Sequence, residues 1–121
     1  MNENKDLKIE KIFILALKNH KENNLKLAED LYNKILKINP NYPGACINLG
    51  SIFHGYGRNE KAKECFKKVL KVSPSNAEAN YNLGFIYQNE GENEQAKKYY
   101  KKALEVNPNS KKMHHDLGIV F

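Results

Sequence analysis

The sequence has no tryptophan, two cysteines, four prolines and seven glycines in 121 residues. Two cysteines, Cys46 and Cys65, do not make a disulfide framework. The apolar run IFILAL at 12–17 is short, meets Lys18 and lacks a small-residue cleavage site, so no signal peptide is read there. Reduced thiols in a cytoplasmic protein are the expectation. The few prolines and glycines leave no segment that reads as a low-complexity linker. No stretch approaches the roughly 18 apolar residues of a membrane span, so no membrane partner is expected. A P-loop, a dinucleotide fingerprint and a Gly-x-Ser-x-Gly elbow are all missing. No enzymatic activity and no cofactor are therefore expected. The remainder is ordinary for a folded chain, 40% apolar and 28% charged. The net charge of +6 allows a weak attraction to polyanions without establishing one.

What the sequence has instead is a period. INLGSIF at 47–53, YNLGFIY at 81–87 and HDLGIVF at 115–121 start 34 residues apart, and so do Pro40, Pro74 and Pro108. Aligning on the prolines gives a lead-in at 1–8, units at 9–42, 43–76 and 77–110, and a partial unit at 111–121. Each unit carries two helical patterns. Gly57, Gly91 and, in the first unit, Asn23 stand where a left-handed residue stops the first helix. The second helix of the third unit shows Ala96, Tyr100, Ala103 and Leu104 at helical spacing. Small residues recur where two helices would meet: Gly84, Ala96 and Ala103; Gly50, Ala62 and Val69; Ala16, Ala28 and Ile35. Tyr32, Phe66 and Tyr100 fill one large position in turn.

The 34-residue period, the Leu-Gly pair, the aromatic three residues later, the following alanine and aromatic, and the proline resemble the tetratricopeptide repeat family over residues 9–121. The resemblance implies an all-α fold, a right-handed superhelical α-solenoid of antiparallel helix pairs. Three units and a partial fourth give about seven helices. One column departs from the family: its large residue is replaced by Ile12, Cys46, Asn80 and His114, so looser packing is expected there, most of all at Asn80. The first unit is degenerate, with Ala16 and Asn19 in signature positions, and suits an N-terminal cap. The chain ends on apolar residues where an outer face is normally polar. Leu117, Ile119, Val120 and Phe121 are read as a self-association surface, and the abrupt stop also fits a piece of a longer protein.

Chemistry-bearing residues have bland counterparts. His20 and His54 share a column, and equivalent columns lie about 10 Å apart, too far to share an ion, so no metal site is expected. Cys46 reads as a small core residue, and nothing fixes a base near Cys65. Lysines crowd the second helices, at Lys61, Lys63, Lys67, Lys68 and Lys71 and again at Lys97, Lys98, Lys101 and Lys102. With glutamates among them and Phe66 and Tyr100 assigned to the core, a solvated face is preferred to a nucleic-acid surface.

The family's first helices line a concave groove. The stripe that would face it holds Glu10, Ile14, Leu17 and Lys21; Gly44, Asn48, Ser51 and Gly55; Glu78, Asn82, Phe85 and Asn89; then Lys112, Asp116 and Ile119. Tyr81 and His115 flank it. Some family members grip a carboxylate terminus with lysines from this stripe. Here those positions hold Glu10, Gly44 and Glu78, with only Lys112 fitting, so an acidic terminus is not the expected ligand. The expected function is a non-catalytic scaffold holding an extended peptide or helix of another protein. The candidate contacts are Asn48, Ser51, Tyr81, Asn82, Phe85, Asn89 and Asp116. Asn48 and Asn82 carry both a donor and an acceptor and suit a peptide backbone. The alternatives are the repeat arm of a larger enzyme, for example a glycosyltransferase-like one, and an RNA-associated protein using the lysine face.

Overall fold

A computed structural model describes the backbone of residues 2–120, with side chains from Asn4 to Asp116 and Gly118. Seven helices form among the described residues: α1 (Asn2–Lys21), α2 (Leu25–Ile38), α3 (Pro43–Gly55), α4 (Asn59–Val72), α5 (Ala77–Asn89), α6 (Asn93–Val106) and α7 (Lys111–Val120). There is no strand among them. Helices pack in chain order, most closely within the pairs α1–α2, α3–α4 and α5–α6, then between successive pairs. Contacts also join α3 to α5 and α5 to α7, so the first helices of successive pairs lie side by side in an α-solenoid. Helix α1 starts well before residue 9 and is 20 residues long, against 13 for α3 and α5. No helix among the described residues is long and apolar enough to cross a membrane.

The turn inside each pair is the one the stop residues demand. Asn23, Gly57 and Gly91 have φ of 65°, 77° and 77°. At each, the next residue's N–H bonds five residues back: Asn24 to the Asn19 carbonyl, Arg58 to Phe53 and Glu92 to Tyr87, all at 2.8 Å. The stop residue itself bonds three back, to His20, His54 and Gln88. This double closure uses the orphan carbonyls of a helix end and requires the left-handed residue.

Within a pair the glycine faces a ring. A Cβ at Gly50 would stand 2.7 Å from Phe66 Cζ, and one at Gly84 would stand 2.7 Å from Tyr100 Cδ1. The close approach is therefore glycine to aromatic, with the fully buried alanines Ala62, Ala96 and Ala103 beside it. The Leu-Gly leucine does something else. Leu49 and Leu83 are 3% and 0% exposed, but Leu15, in the same column, is 47% exposed although its own second helix is in place. The preceding pair, not the leucine's own partner helix, buries this column.

The unusual column is also not a packing defect. Asn80 is fully buried. Its Nδ2 donates to the Pro74 carbonyl at 3.1 Å and the Asn76 carbonyl at 3.0 Å. Cys46 Sγ lies 3.8 Å from the Pro40 carbonyl, and His114 Nε2 lies 2.7 Å from that of Pro108. Each residue donates to the proline six positions earlier, which ties the turn between pairs to the helix that follows. From the second unit on, donors replace bulk in this column. The cost sits at Asn80 Oδ1, which is buried with no protein partner, a loss on the order of 1–3 kcal/mol.

Candidate groove site

Helices α3, α5 and α7 bring their exposed faces to one pocket of about 330 Å³. Ser51 and His54 line it from α3, Tyr81, Asn82, Phe85 and Ile86 from α5, and Lys112 and Asp116 from α7, while Phe66 reaches it from α4. The walls are aromatic. Tyr81 and Phe85 stack at 6.5 Å and 16°, and His54 meets Phe85 edge-on at 5.5 Å. The polar groups are oriented. Tyr81 donates its hydroxyl to Asp116 Oδ2 at 2.5 Å, and Lys112 Nζ lies 5.1 Å from the same ring's centre. His54 Nδ1 is 3.0 Å from Asn59 Oδ1. An amide oxygen only accepts, so His54 Nδ1 is the donor of this bond. Burial, and then the hydrogen bond to Asp116, push the Tyr81 phenol well above its ordinary range, so it stays a neutral donor. Tyr100 is raised in the same way, by burial and then by Asp116; its hydroxyl donates to Gln88 Oε1 at 2.5 Å.

Of the residues named from sequence, Ser51, Tyr81, Asn82, Phe85 and Asp116 meet at this pocket. Asn48 and Asn89 are not among the residues lining it. Asn48 is half-buried near the Tyr32 hydroxyl, and Asn89 is exposed at the last position of α5. The Tyr32 hydroxyl is also 3.0 Å from His20 Nδ1. His54 and Lys112 join the lining; both lie one helical turn from a named residue, Ser51 and Asp116, which is the signal that finds them. The self-association reading rests on Leu117, Ile119, Val120 and Phe121, whose side chains lie outside the described residues.

The thiols and lysines are accounted for structurally. Cys46 and Cys65 are both free. Burial pushes the Cys65 thiol up to about 12 and raises Cys46 as well, which disfavours the nucleophilic thiolate. No group of three or more His, Cys, Asp or Glu converges on one point among the described residues. The lysine face holds an aromatic element that sequence reading missed. Tyr87 and Tyr99 stack at 5.6 Å and 4°, with Lys63 and Lys67 over the first ring and Lys98 and Lys102 over the second. Lys63 also bonds Glu60 at 3.2 Å and Glu90 at 2.6 Å, linking α4 to the end of α5.

A tetratricopeptide repeat model matches residues 77–110, and a second TPR repeat model matches 50–91. Together they span 50–110, half of the chain. The chain belongs to the tetratricopeptide repeat family. Solved structures share the fold of this TPR protein. The Sgt2 TPR domain from Aspergillus fumigatus is 25% identical with a TM-score of 0.84, over 93% of this chain and 76% of that one. The first TPR of Spaghetti (RPAP3), solved with the HSP90 peptide SRMEEVD, is 22% identical with a TM-score of 0.88, over 94% and 90%. The Thermobaculum terrenum O-GlcNAc transferase is 22% identical with a TM-score of 0.88, over 96% of this chain but only 22% of the enzyme. No curated protein matches the sequence.

Proposed function

We propose that this TPR protein is a non-catalytic scaffold that holds an extended peptide or a helix of a partner protein in its groove, acting in the cytoplasm. The observation that supports this most is the pocket between α3, α5 and α7. Its aromatic walls suit an apolar side chain of the partner, and Asn82 and Ser51 at its edge suit the partner's backbone. Peptide binding by a TPR fold has a precedent in the Spaghetti domain with its HSP90 peptide. An acidic terminus like that peptide's is not the expected ligand, because Glu10, Gly44 and Glu78 stand where lysines would be needed.

Asn82 is the main rung for the partner's backbone, because it lines the pocket and Asn48 does not. Each hydrogen bond contributes on the order of 0.5–1.5 kcal/mol net. A peptide selected against the intact chain from a random display library is the test ligand. Replacing both asparagines (Asn48→Ala with Asn82→Ala) is expected to weaken it by roughly tenfold, about 1.4 kcal/mol. Asn82→Ala alone carries most of that loss, with helicity and melting temperature nearly unchanged. Equal affinity of the double variant and the parent overturns the backbone role.

A second reading is supported by the transferase, whose chain contains a segment of this shape within a much larger enzyme. The length of the natural open reading frame discriminates: a catalytic domain encoded beyond residue 121 makes this chain the arm of an enzyme.

A further inference from the structure

The outer face of α1 differs from the equivalent faces of α3 and α5. In α3 the column 34 residues on from Lys11, Leu15 and Lys18 is Ala45, Leu49 and Ile52; in α5 it is Ala79, Leu83 and Ile86. All six of those are buried, and the preceding helix pair is what covers them. On α1 the same three positions are exposed, and two of them are lysine. Leu7, 52% exposed, and Lys8 extend the line toward the helix start. At 100° per residue, Leu7, Lys8, Lys11, Leu15 and Lys18 fall within about 60° of one line, while Glu10 falls about 100° from it, on the groove side. The face is therefore apolar and basic, with no acid between its ends.

We infer that this face of α1 is a second docking surface, separate from the groove, and that its occupant is an acidic amphipathic helix of a partner protein. The shape follows from the array itself. Helix pairs already lie against the equivalent faces of α3 and α5, so a helix fits here with its leucines on Leu7 and Leu15. The chemistry follows from charge. Alanine and isoleucine in the inner columns ask for an apolar cover, whereas Lys8, Lys11 and Lys18 ask for carboxylates flanking it, which add rate and specificity to an apolar contact. A second copy of this chain is a poor occupant. Its net charge is +6, and its outer helices present Lys67, Lys98 and Lys102, which would set lysine against lysine.

The test is fluorescence anisotropy on the full chain with two synthetic helices. One has leucines at i, i+3 and i+7 with glutamates between them; its twin has lysines in place of the glutamates. The acidic helix is expected to bind, less tightly as salt rises, and the lysine twin is not. Leu15→Asp should weaken the acidic helix roughly tenfold or more, while the display-selected groove peptide binds this variant like the parent. Lys11→Glu with Lys18→Glu should reverse the preference toward the lysine twin. Failure of the acidic helix to bind, or binding indifferent to Leu15→Asp, overturns the proposal. So does either alternative occupant: chain pelleting with phosphatidylserine vesicles through Leu15 while the helix does not bind, or a dimer in sedimentation equilibrium that Leu15→Asp dissolves.

Discussion

Gly84→Leu is expected to lower the stability of the array by about 1–3 kcal/mol or more, because even the first carbon of the new side chain meets a wall. That carbon would lie 2.7 Å from Tyr100 Cδ1 and 2.8 Å from Cε1. Tyr100 has no room to retreat: it is fully buried, packed on Tyr81 at 5.6 Å and held by its hydroxyl to Gln88. Leucine is a better helix former than glycine by nearly 1 kcal/mol, but here the clash outweighs the propensity. At roughly 4 °C for each kcal/mol in a domain of this size, the melting temperature should fall clearly. Gly55 is the internal control. It too lies on a first helix, at the last residue of α3, but a Cβ there meets nothing within 4 Å. Gly55→Ala should be neutral or stabilising by up to about 1 kcal/mol. Equal melting temperatures for Gly84→Leu and the parent would remove the glycine–ring contact from the account.

Tyr100→Ala should cost more, about 3–5 kcal/mol. The ring closes the α5–α6 pair over Gly84 and supports the groove residue Tyr81 from behind, so its loss empties a core site under the pocket. Against a total stability of about 5–15 kcal/mol, the α5–α6 end of the array approaches unfolding. Tyr100→Phe separates the ring from its hydroxyl. It keeps the packing and leaves Gln88 Oε1 without its donor, at a cost of about 1 kcal/mol. Urea denaturation of the three proteins measures both steps. Similar losses for the alanine and phenylalanine variants would mean that the hydroxyl, not the ring, holds the pair.

The elements that were legible in the sequence are those fixed by a local rule repeated at one interval. Asn23, Gly57 and Gly91 stop helices because of their own backbone freedom, and the alanine and aromatic columns follow from helical spacing within one pair. What was not legible depends on how one pair sits on the next. Asn48 and Asn82 occupy one column, yet the first sits half-buried near Tyr32 of the preceding pair and the second opens on the pocket. The residue in Tyr32's column one pair on is Phe66, which has no hydroxyl to draw the second amide inward. Tyr81 and Asp116 meet across 35 residues because α7 lies beside α5. The Asn80 column looked like lost bulk because its value lies in a donor aimed at a turn, which a table of residue sizes does not show. Tyr99 was hidden by the adjacent Tyr100, whose core role is plain from spacing while the stack on Tyr87 is not.

The central claim is that the groove between α3, α5 and α7 is the surface that holds a partner peptide. Amide chemical-shift mapping of the labelled chain during titration with the display-selected peptide tests it most directly. The largest shifts are expected at Ser51, His54, Asn82 and Phe85 and along α7 from Lys112 to Asp116, with the lysine face of α4 and α6 unmoved. Saturable shifts confined to that lysine face, with the groove amides unchanged, would contradict it.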